Sequence, residues 1–203
     1  QNKNPLPVAD SAKIQPVQPA IDISRQSIWL LIWSGLVLML GVCALFSEFL
    51  THRRLKRMPD FDLRLLPIDF NELMEIAKVK RSVRVLSSVR VGTPVVYGIF
   101  KPVLILPENF SKGLSPDQVK WVLLHELAHI RRFDPAVMWL QKIVTICFFF
   151  HPLVWLADWI INCEREHICD DDALLKSNLP RKLCCEGLLH AIVESTSFTP
   201  SER

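Results

Sequence analysis

The hydrophobic pattern changes character near residue 50. From Gln26 to Ser47 no residue is charged, and apolar side chains fall on every face of the helix that this stretch would form. At about 1.5 Å per residue, a helix of this length crosses a hydrocarbon core of about 30 Å. We therefore predict a transmembrane helix over residues 26–50. The proline-rich, polar stretch before it, residues 1–25, is predicted to be an extracytoplasmic loop or linker.

After this helix the pattern is that of a folded domain. Asp69 is placed to cap a short helix over residues 70–79. Three short segments rich in β-forming residues follow, punctuated by glycine and proline, at residues 82–86, 94–99 and 103–106. They predict a small sheet whose edge could hold an extended peptide through main-chain hydrogen bonds. A sheet that only covers a neighbouring helix accounts for the same strands equally well.

A further helix has clear boundaries in the sequence. Ser115, Pro116 and Gln118 form a capping-box pattern at its start. It should end near Phe133, because a residue that precedes a proline, here Pro135, disfavours helix. Its polar residues are surrounded by apolar ones, so we expect the helix to be largely buried.

This helix contains the string His125-Glu126-Leu127-Ala128-His129, an HExxH motif. Histidines four apart lie on one helix face, one turn apart, so both imidazoles can reach a single ion. Glu126 is placed to hold a water molecule and take its proton. A surface helix with these side chains in solvent is the plainer interpretation, but buried His and Glu need partners, which a metal supplies. The motif predicts the zinc site of a peptidase.

A catalytic zinc site needs a third protein ligand. Glu166 and Asp170 lie four positions apart, on one helix face of an acidic stretch. One carboxylate could bind zinc while the other accepts the free N–H of a ligand histidine. Glu164 is a rival ligand on a different face. Without the HExxH motif, a solvated acidic surface would be the preferred interpretation.

Residues 143–157 are uncharged and strongly apolar. If they crossed the membrane once, Glu166 would lie on the opposite side from His125 and His129, which three ligands at about 2 Å from one ion forbid. Two full crossings need about 40 residues and a turn, more than the intervening chain provides. The segment must therefore form a buried pair of core helices, or dip into the membrane and return, with a break near His151.

Charge and cysteine content limit the possible partners. The net charge of +3 is modest and does not suggest direct binding of nucleic acid. The basic residues that follow the apolar helix suit anionic lipid headgroups; they are His52, Arg53, Arg54, Lys56 and Arg57.

By the positive-inside rule these basic residues place a catalytic domain, residues 51–195, in the cytoplasm or at the cytoplasmic membrane surface. A tail over residues 196–203 follows this domain. The six cysteines should stay reduced there, and none has the CxxC spacing of a zinc site.

Several strings resemble the BlaR/MecR family of membrane zinc metallopeptidases. They are "TPVVYGIFKPVLILPENF", "HELAHIRRFD", "FFFHPLVWLADWI" and "EREHICDDDALL". Their order and spacing agree with that family, and the likeness covers about residues 30–190. Together with the predicted elements, it gives an α+β fold: a mainly helical, zincin-like metallopeptidase domain with a small β-sheet, preceded by a transmembrane helix.

The resemblance implies His125, His129 and Glu166 as zinc ligands, Glu126 as general base and Asp170 as the carboxylate that supports a ligand histidine. It also implies a zinc metalloendopeptidase of the cell membrane that transduces a signal by cleaving itself or a cytoplasmic transcriptional repressor. The chain begins without methionine and ends without room for the family's penicillin-binding sensor. We therefore expect a fragment, or a member without that sensor.

Two functions of other classes use the same residues. A catalytically inactive signalling module would bind a regulator through the same domain. A structural zinc protein would use the metal for folding alone. The complete set of three ligands, with Glu126 beside them, favours catalysis over both.

Overall fold

The computed structural model describes residues 25–179, and helices predominate in this part of the chain. Its α-helices are α1 (Arg25–Leu55), α2 (Phe70–Ile76), α3 (Pro116–Arg132), α4 (Asp134–Cys147) and α5 (Pro152–Ser177). Its strands are β1 (Arg84–Ser88), β2 (Val95–Tyr97) and β3 (Val103–Pro107). The predicted combination of a mainly helical chain with a small sheet is confirmed. The predicted linker before Arg25 and the predicted tail lie outside the described residues.

Helix α1 is longer than the predicted span of residues 26–50. It has 31 residues, is long and apolar enough to cross a membrane, and none of its most apolar stretch is buried. Basic side chains in its last turn face the negative end of the helix dipole, which favours the extra turn. Within the described residues, α1 as far as Leu36 belongs to one compact unit, and residues 37–179 belong to a second. All other described elements lie in the second unit.

The three-stranded sheet has the order β1–β3–β2. Strand β1 pairs with β3 in parallel, with Leu86 opposite Ile105. Strand β2 pairs with β3 antiparallel, with Val96 opposite Leu104. Each strand agrees with its predicted segment to within two residues at either end, so the prediction of a small sheet is confirmed. Strand β2 lies at one edge of this sheet.

The core lies between helix α3, the sheet, α2 and the C-terminal half of α5. Its fully buried members include Ala77, Leu104, Leu106, Val119, Leu123, Leu124, Leu127, Ile130 and Ala173. Burying one large aliphatic side chain of this kind contributes about 1.5–3 kcal/mol. The prediction that α3 is largely buried is confirmed.

Both ends of α3 follow from local sequence. The Ser115 side chain accepts a hydrogen bond from the Gln118 amide, and the Gln118 side chain accepts one from the Ser115 amide. The helix ends at Phe133, whose left-handed conformation (φ 61°) turns the chain directly into α4 at Asp134. The predicted cap and end are confirmed.

Helix α2 is shorter than predicted. Asp69 caps it as expected, through a 2.8 Å hydrogen bond from the amide of Asn71. The helix stops at Ile76 rather than near residue 79, because Lys78 adopts a left-handed conformation (φ 58°). A lysine gives no local signal for this conformation, which glycine or asparagine would provide.

The apolar segment 143–157 forms part of a helical hairpin made of α4 and α5. The break lies between Cys147 and Pro152, with His151 as the residue before α5, as predicted. In α4 the buried residue is Asp134, while large apolar side chains of the hairpin are exposed. The alternative that this segment is a buried pair of core helices is therefore wrong.

Candidate active site

Helix α5 brings its acidic residues to α3 through a face of small side chains. The buried residues of α5 are Cys169, Ala173 and Ser177, spaced by four and therefore on one face. Small residues on a contact face allow two helices to approach closely. This packing sets Glu166 and Asp170 beside the HExxH segment of α3.

Three possible ligand atoms form a compact triangle. The Nε2 atoms of His125 and His129 lie 3.1 Å apart. The Oε2 atom of Glu166 lies 3.6 Å from the first and 3.7 Å from the second. Around a tetrahedral zinc ion with bonds of about 2.0–2.1 Å, neighbouring ligand atoms are about 3.3 Å apart. The triangle therefore has the size needed to hold such an ion.

The triangle is open on one side. The side chains of His125 and His129 are 14% and 13% exposed, whereas that of Glu166 is 51% exposed. The histidines thus face the protein, and the carboxylate lies at the surface. A catalytic metal needs this kind of access, because one coordination position must remain free for water or substrate.

The second nitrogen of each histidine faces a carboxylate. His125 Nδ1 lies 2.9 Å from an oxygen of Asp170, and His129 Nδ1 lies 2.7 Å from an oxygen of Asp134. A carboxylate at Nδ1 keeps the proton on that nitrogen and leaves the lone pair of Nε2 free. The His129 contact has hydrogen-bond geometry and directs the Nε2 of that imidazole toward the triangle, whereas His125 Nδ1 makes no hydrogen bond despite its short distance to Asp170.

Asp134 has no site role in the sequence prediction, which used this region only to end α3. Asp134 is 3% exposed, and its second carboxylate oxygen lies 3.5 Å from the Arg132 guanidinium. The left-handed turn at Phe133 brings it back under His129. The sequence signal that could have indicated this role is an aspartate just after the active helix, directly before Pro135. The position of the Asp134 side chain depends on the turn at Phe133, which the HExxH motif does not specify.

Glu126, the residue after the first histidine, has a pKa well above that of an ordinary glutamate. Burial raises its pKa to about 7, the nearby His125 opposes this, and the charge of Glu166 adds to it. A carboxyl group with a pKa near neutrality can both accept and release a proton at physiological pH. This is the property required of a general base that later acts as an acid.

The possible ligands differ in their pKa values, and therefore in how strongly protons compete with a metal for them. Interaction with the His125 imidazole lowers the pKa of Glu166 to about 2, against the effect of burial. Burial and the neighbouring imidazole lower the pKa of His129. Burial also tends to lower the pKa of His125, but three nearby carboxylates outweigh it and the pKa is raised. Because metal ligands must be deprotonated, protons compete with a metal more strongly at His125 than at His129 or Glu166.

Cys169 lies beside the same histidine. Its sulfur is 3.3 Å from Nδ1 of His129 and 3.5 Å from an oxygen of Asp134, and these three form a second group that could hold a metal. Burial, followed by the Asp134 charge, raises the pKa of the thiol to about 12. A protonated thiol is a poor metal ligand. Cys169 therefore acts as a small buried residue of α5 beside the active helix.

The rival ligand Glu164 and two other polar residues lie outside the triangle. Glu164 is exposed and belongs to neither of the two possible metal groups within residues 25–179. His151 precedes α5 about four turns before Glu166, which is roughly 22 Å along the helix. Tyr97, the sole tyrosine, donates its hydroxyl to Glu48, and burial with this contact raises its pKa to about 12.

Comparison with known proteins identifies the family. The family model described as BlaR1 peptidase M56 matches residues 4–201, nearly the whole chain. The chain belongs to this family. The resemblance to BlaR/MecR proteins predicted from the motifs is thus confirmed.

Individual relatives agree with this assignment. The regulatory protein BlaR1 of Bacillus licheniformis is 31% identical over 163 residues, covering 80% of this chain and 26% of that protein. The BlaR1 protein of Staphylococcus aureus is 22% identical over 182 residues, covering 86% and 30%. The methicillin resistance mecR1 protein of Staphylococcus aureus is 23% identical over 95 residues, covering 47% and 16%. The chain thus spans less than a third of each relative.

Family and structure together support a general role. The family is one of peptidases that includes regulatory proteins, and the described chain contains one helix that could span a membrane. It also contains side chains grouped closely enough to bind a metal ion. The chain thus combines membership of a peptidase family with one candidate membrane helix and a possible metal site.

Proposed function

We propose that this chain is the catalytic part of a membrane-bound zinc metallopeptidase that hydrolyses peptide bonds. The observation that carries the proposal is the triangle of His125 Nε2, His129 Nε2 and Glu166 Oε2, with sides of 3.1, 3.6 and 3.7 Å. A structural role alone would not require the half-exposed third ligand, nor a buried carboxyl group beside it. Both features suit a site that admits water and substrate.

Zinc, when bound to these three residues, would lower the pKa of a water molecule and polarise the peptide carbonyl. Glu126 would accept the proton of the attacking water and then donate it to the leaving amine. Its pKa of about 7 suits both transfers. Asp134 and Asp170 would hold the two imidazoles in orientation through their Nδ1 atoms.

Strand β2 is the proposed binding edge for an extended peptide substrate. It is an outer strand of the sheet and lies against α3. Arg81 ties the turn that follows β2 to the end of α3, because its guanidinium donates to the carbonyl of Ile99 at 2.7 Å and to that of Ile130. Main-chain pairing would select an extended conformation rather than a sequence.

The regulatory role is proposed from the relatives. Proteins named regulatory protein BlaR1 and methicillin resistance mecR1 protein match this chain over 80% and 47% of its length. We infer that the chain transduces a signal by cleaving itself or a transcriptional repressor. The basic residues that end α1 favour a catalytic domain on the cytoplasmic side.

The test compares zinc content and peptide hydrolysis in the full chain and two variants. The parent should bind one zinc and hydrolyse a quenched-fluorescent peptide mixture. Glu126→Gln should keep the zinc and lose at least about 100-fold in kcat/KM, the usual contribution of a general base. Glu164→Gln, an exposed carboxylate on α5, is the matched control and should retain both properties.

Each other result has a distinct meaning. Zinc binding without hydrolysis in the parent would replace the peptidase by an inactive module that binds a regulator. Equal hydrolysis by the parent and Glu126→Gln would eliminate the mechanism. Absence of zinc from the parent at equilibrium would overturn the metal site itself.

A further inference from the structure

The tip of the α4–α5 hairpin is apolar and uncovered. No Lys, Arg, Asp or Glu occurs between Lys142 and Asp158. Large side chains along this stretch are about half exposed or more; they include Ile143 (52%), Phe148 (49%), Phe150 (61%), Leu153 (63%) and Trp155 (55%). A continuous apolar surface of this size on a soluble protein marks an interaction site.

This surface continues onto helix α1. From Val37 onward, the half-buried residues of α1 recur at helical spacing and mark one face; they are Val37, Leu40, Gly41, Ala44, Glu48 and Thr51. Leu40 and Ala44 line a cavity of about 410 Å³ together with Met138, Thr145 and Ile146 of α4. The hairpin therefore lies beside this part of α1, with the cavity between them.

One ion pair marks a common level for the two apolar segments. Glu48 is the first charged residue after the uncharged run of α1, and Lys142 is the last before the uncharged hairpin tip. Lys142 Nζ lies 3.3 Å from Glu48 Oε1. The uncharged run of α1 and the uncharged hairpin tip therefore both border this ion pair, which marks one common boundary for the two apolar segments.

Several backbone groups at the tip have partners within the hairpin. The amide of His151 donates to the carbonyl of Phe148 at 2.9 Å. The indole N–H of Trp155 donates to the carbonyl of Phe149, also at 2.9 Å. Non-helical backbone is tolerated at membrane depth only when its polar groups have partners. The carbonyl groups of Phe148 and Phe149 meet this condition where the helices are interrupted.

We propose that the hairpin tip, residues 143–157, inserts into the same membrane leaflet as the C-terminal part of the apolar run of α1. From Lys142 to Phe148 the helix rises about 9 Å, roughly a third of a 30 Å hydrocarbon core. The hairpin therefore turns back inside one leaflet. Helices α3 and α5 then meet on one side of the membrane, with the catalytic triangle near its surface.

The occupant of this surface is a lipid bilayer rather than a protein, because the surface is continuous with a helix that could span a membrane and is bounded by charged residues at one level. A second copy of the chain would be the competing occupant. The inference does not rest on peptidase activity, and its test needs no substrate.

The experiment places the photo-crosslinker p-benzoylphenylalanine at single positions of the full chain in phosphatidylcholine and phosphatidylglycerol nanodiscs. Positions 150 and 153 probe the hairpin tip. Phe100 (88% exposed) and Leu175 (79% exposed) supply matched controls that are equally accessible but lie outside the tip. Position 38 of α1 is the positive control. Products are measured by intact-protein mass spectrometry.

Positions 150 and 153 should form lipid adducts at least ten times more often than positions 100 and 175, approaching the yield at position 38. Lipid yields at the tip no higher than at positions 100 and 175 would overturn the inference. Adducts of the tip with a second copy of the chain would also overturn it, in favour of a dimer. Each set contains two positions, so that the comparison remains possible if one variant misfolds. Zinc binding is measured for each variant, because it shows that α3 and α5 are correctly folded.

Discussion

The two halves of helix α5 differ in what they expose and bury. The N-terminal half exposes Leu153, Trp155 and Trp159, although these are among the most apolar residues of the chain. The C-terminal half carries the acidic residues and buries Cys169 and Ala173 against α3. A single helix therefore has one half that is suited to an apolar medium and another that is suited to the protein core and to water.

The polar network at the join of the two halves is consistent with this change of environment. Gln141 of α4 donates to a carboxylate oxygen of Asp158 at 2.8 Å, and Asn162 donates to the other at 3.3 Å. These contacts tie the hairpin together at its base. Because the two halves depend on different interactions, a substitution in one should leave the property of the other intact.

The largest expected effect among the following substitutions lies at the catalytic end. Asp134→Asn should weaken zinc binding by about 10- to 100-fold, because the amide no longer fixes the tautomer of His129. Asp117→Asn, in the exposed first turn of α3, is the control and should bind zinc like the parent. Zinc affinity is measured by competition with a chelator of known affinity. Equal affinity for Asp134→Asn and the parent would show that His129 is oriented by other contacts.

A smaller effect is expected at the hairpin end. Phe150→Asp should destabilise the chain in nanodiscs by about 1–2 kcal/mol, because a charge is placed within hydrocarbon. The same change at Phe100 lies on a water-exposed surface and should stay within about 0.5 kcal/mol. Denaturant titrations in nanodiscs give both values, and zinc affinity should be unchanged in both variants. Similar free energies of unfolding for the two variants would argue against a lipid environment at position 150.

The smallest effect concerns pH and the metal-free protein. The pKa of Glu126 is raised to about 7 in the folded chain from an ordinary value of 4.5. Between these values the folded state keeps a proton that the unfolded state releases, so this group lowers the free energy of unfolding as pH rises, and its effect levels off above pH 7.

Glutamine does not titrate, so Glu126→Gln removes this pH-dependent loss in the free energy of unfolding. The advantage in Tm of the metal-free variant over the parent should therefore be greater at pH 8 than at pH 5, by roughly 2–4 °C for each kcal/mol of difference in the free energy of unfolding. Thermal unfolding in the presence of a chelator measures it, with Glu164→Gln as the control. A Tm difference that does not change with pH would mean that burial does not perturb this carboxyl group.

Local patterns predicted the elements that carry the site. The capping residues Ser115 and Gln118 and the break before Pro135 define α3 without reference to the rest of the chain. Spacing by four put His125 and His129 on one face, and the acidic stretch supplied candidates for a third ligand. Each of these predictions depends on interactions within one or two helical turns.

Features that depend on tertiary contacts could not be predicted from local sequence patterns. Asp134 lies under His129 because Phe133 adopts a left-handed conformation, which a phenylalanine rarely signals. The sequence also left two environments open for the hairpin. A run that is apolar on every face suits a protein core and a bilayer equally, so only the packing of neighbouring elements distinguishes them.

X-ray absorption spectroscopy of the zinc-loaded full chain tests the central claim most directly, since it reports the ligand atoms themselves. The HExxH and Glu166 site predicts nitrogen and oxygen neighbours alone, at about 2.0–2.2 Å, with the outer-shell signature of two imidazoles. A sulfur neighbour at about 2.3 Å would instead place the metal in the group formed by His129, Asp134 and Cys169, and would contradict the proposed catalytic site.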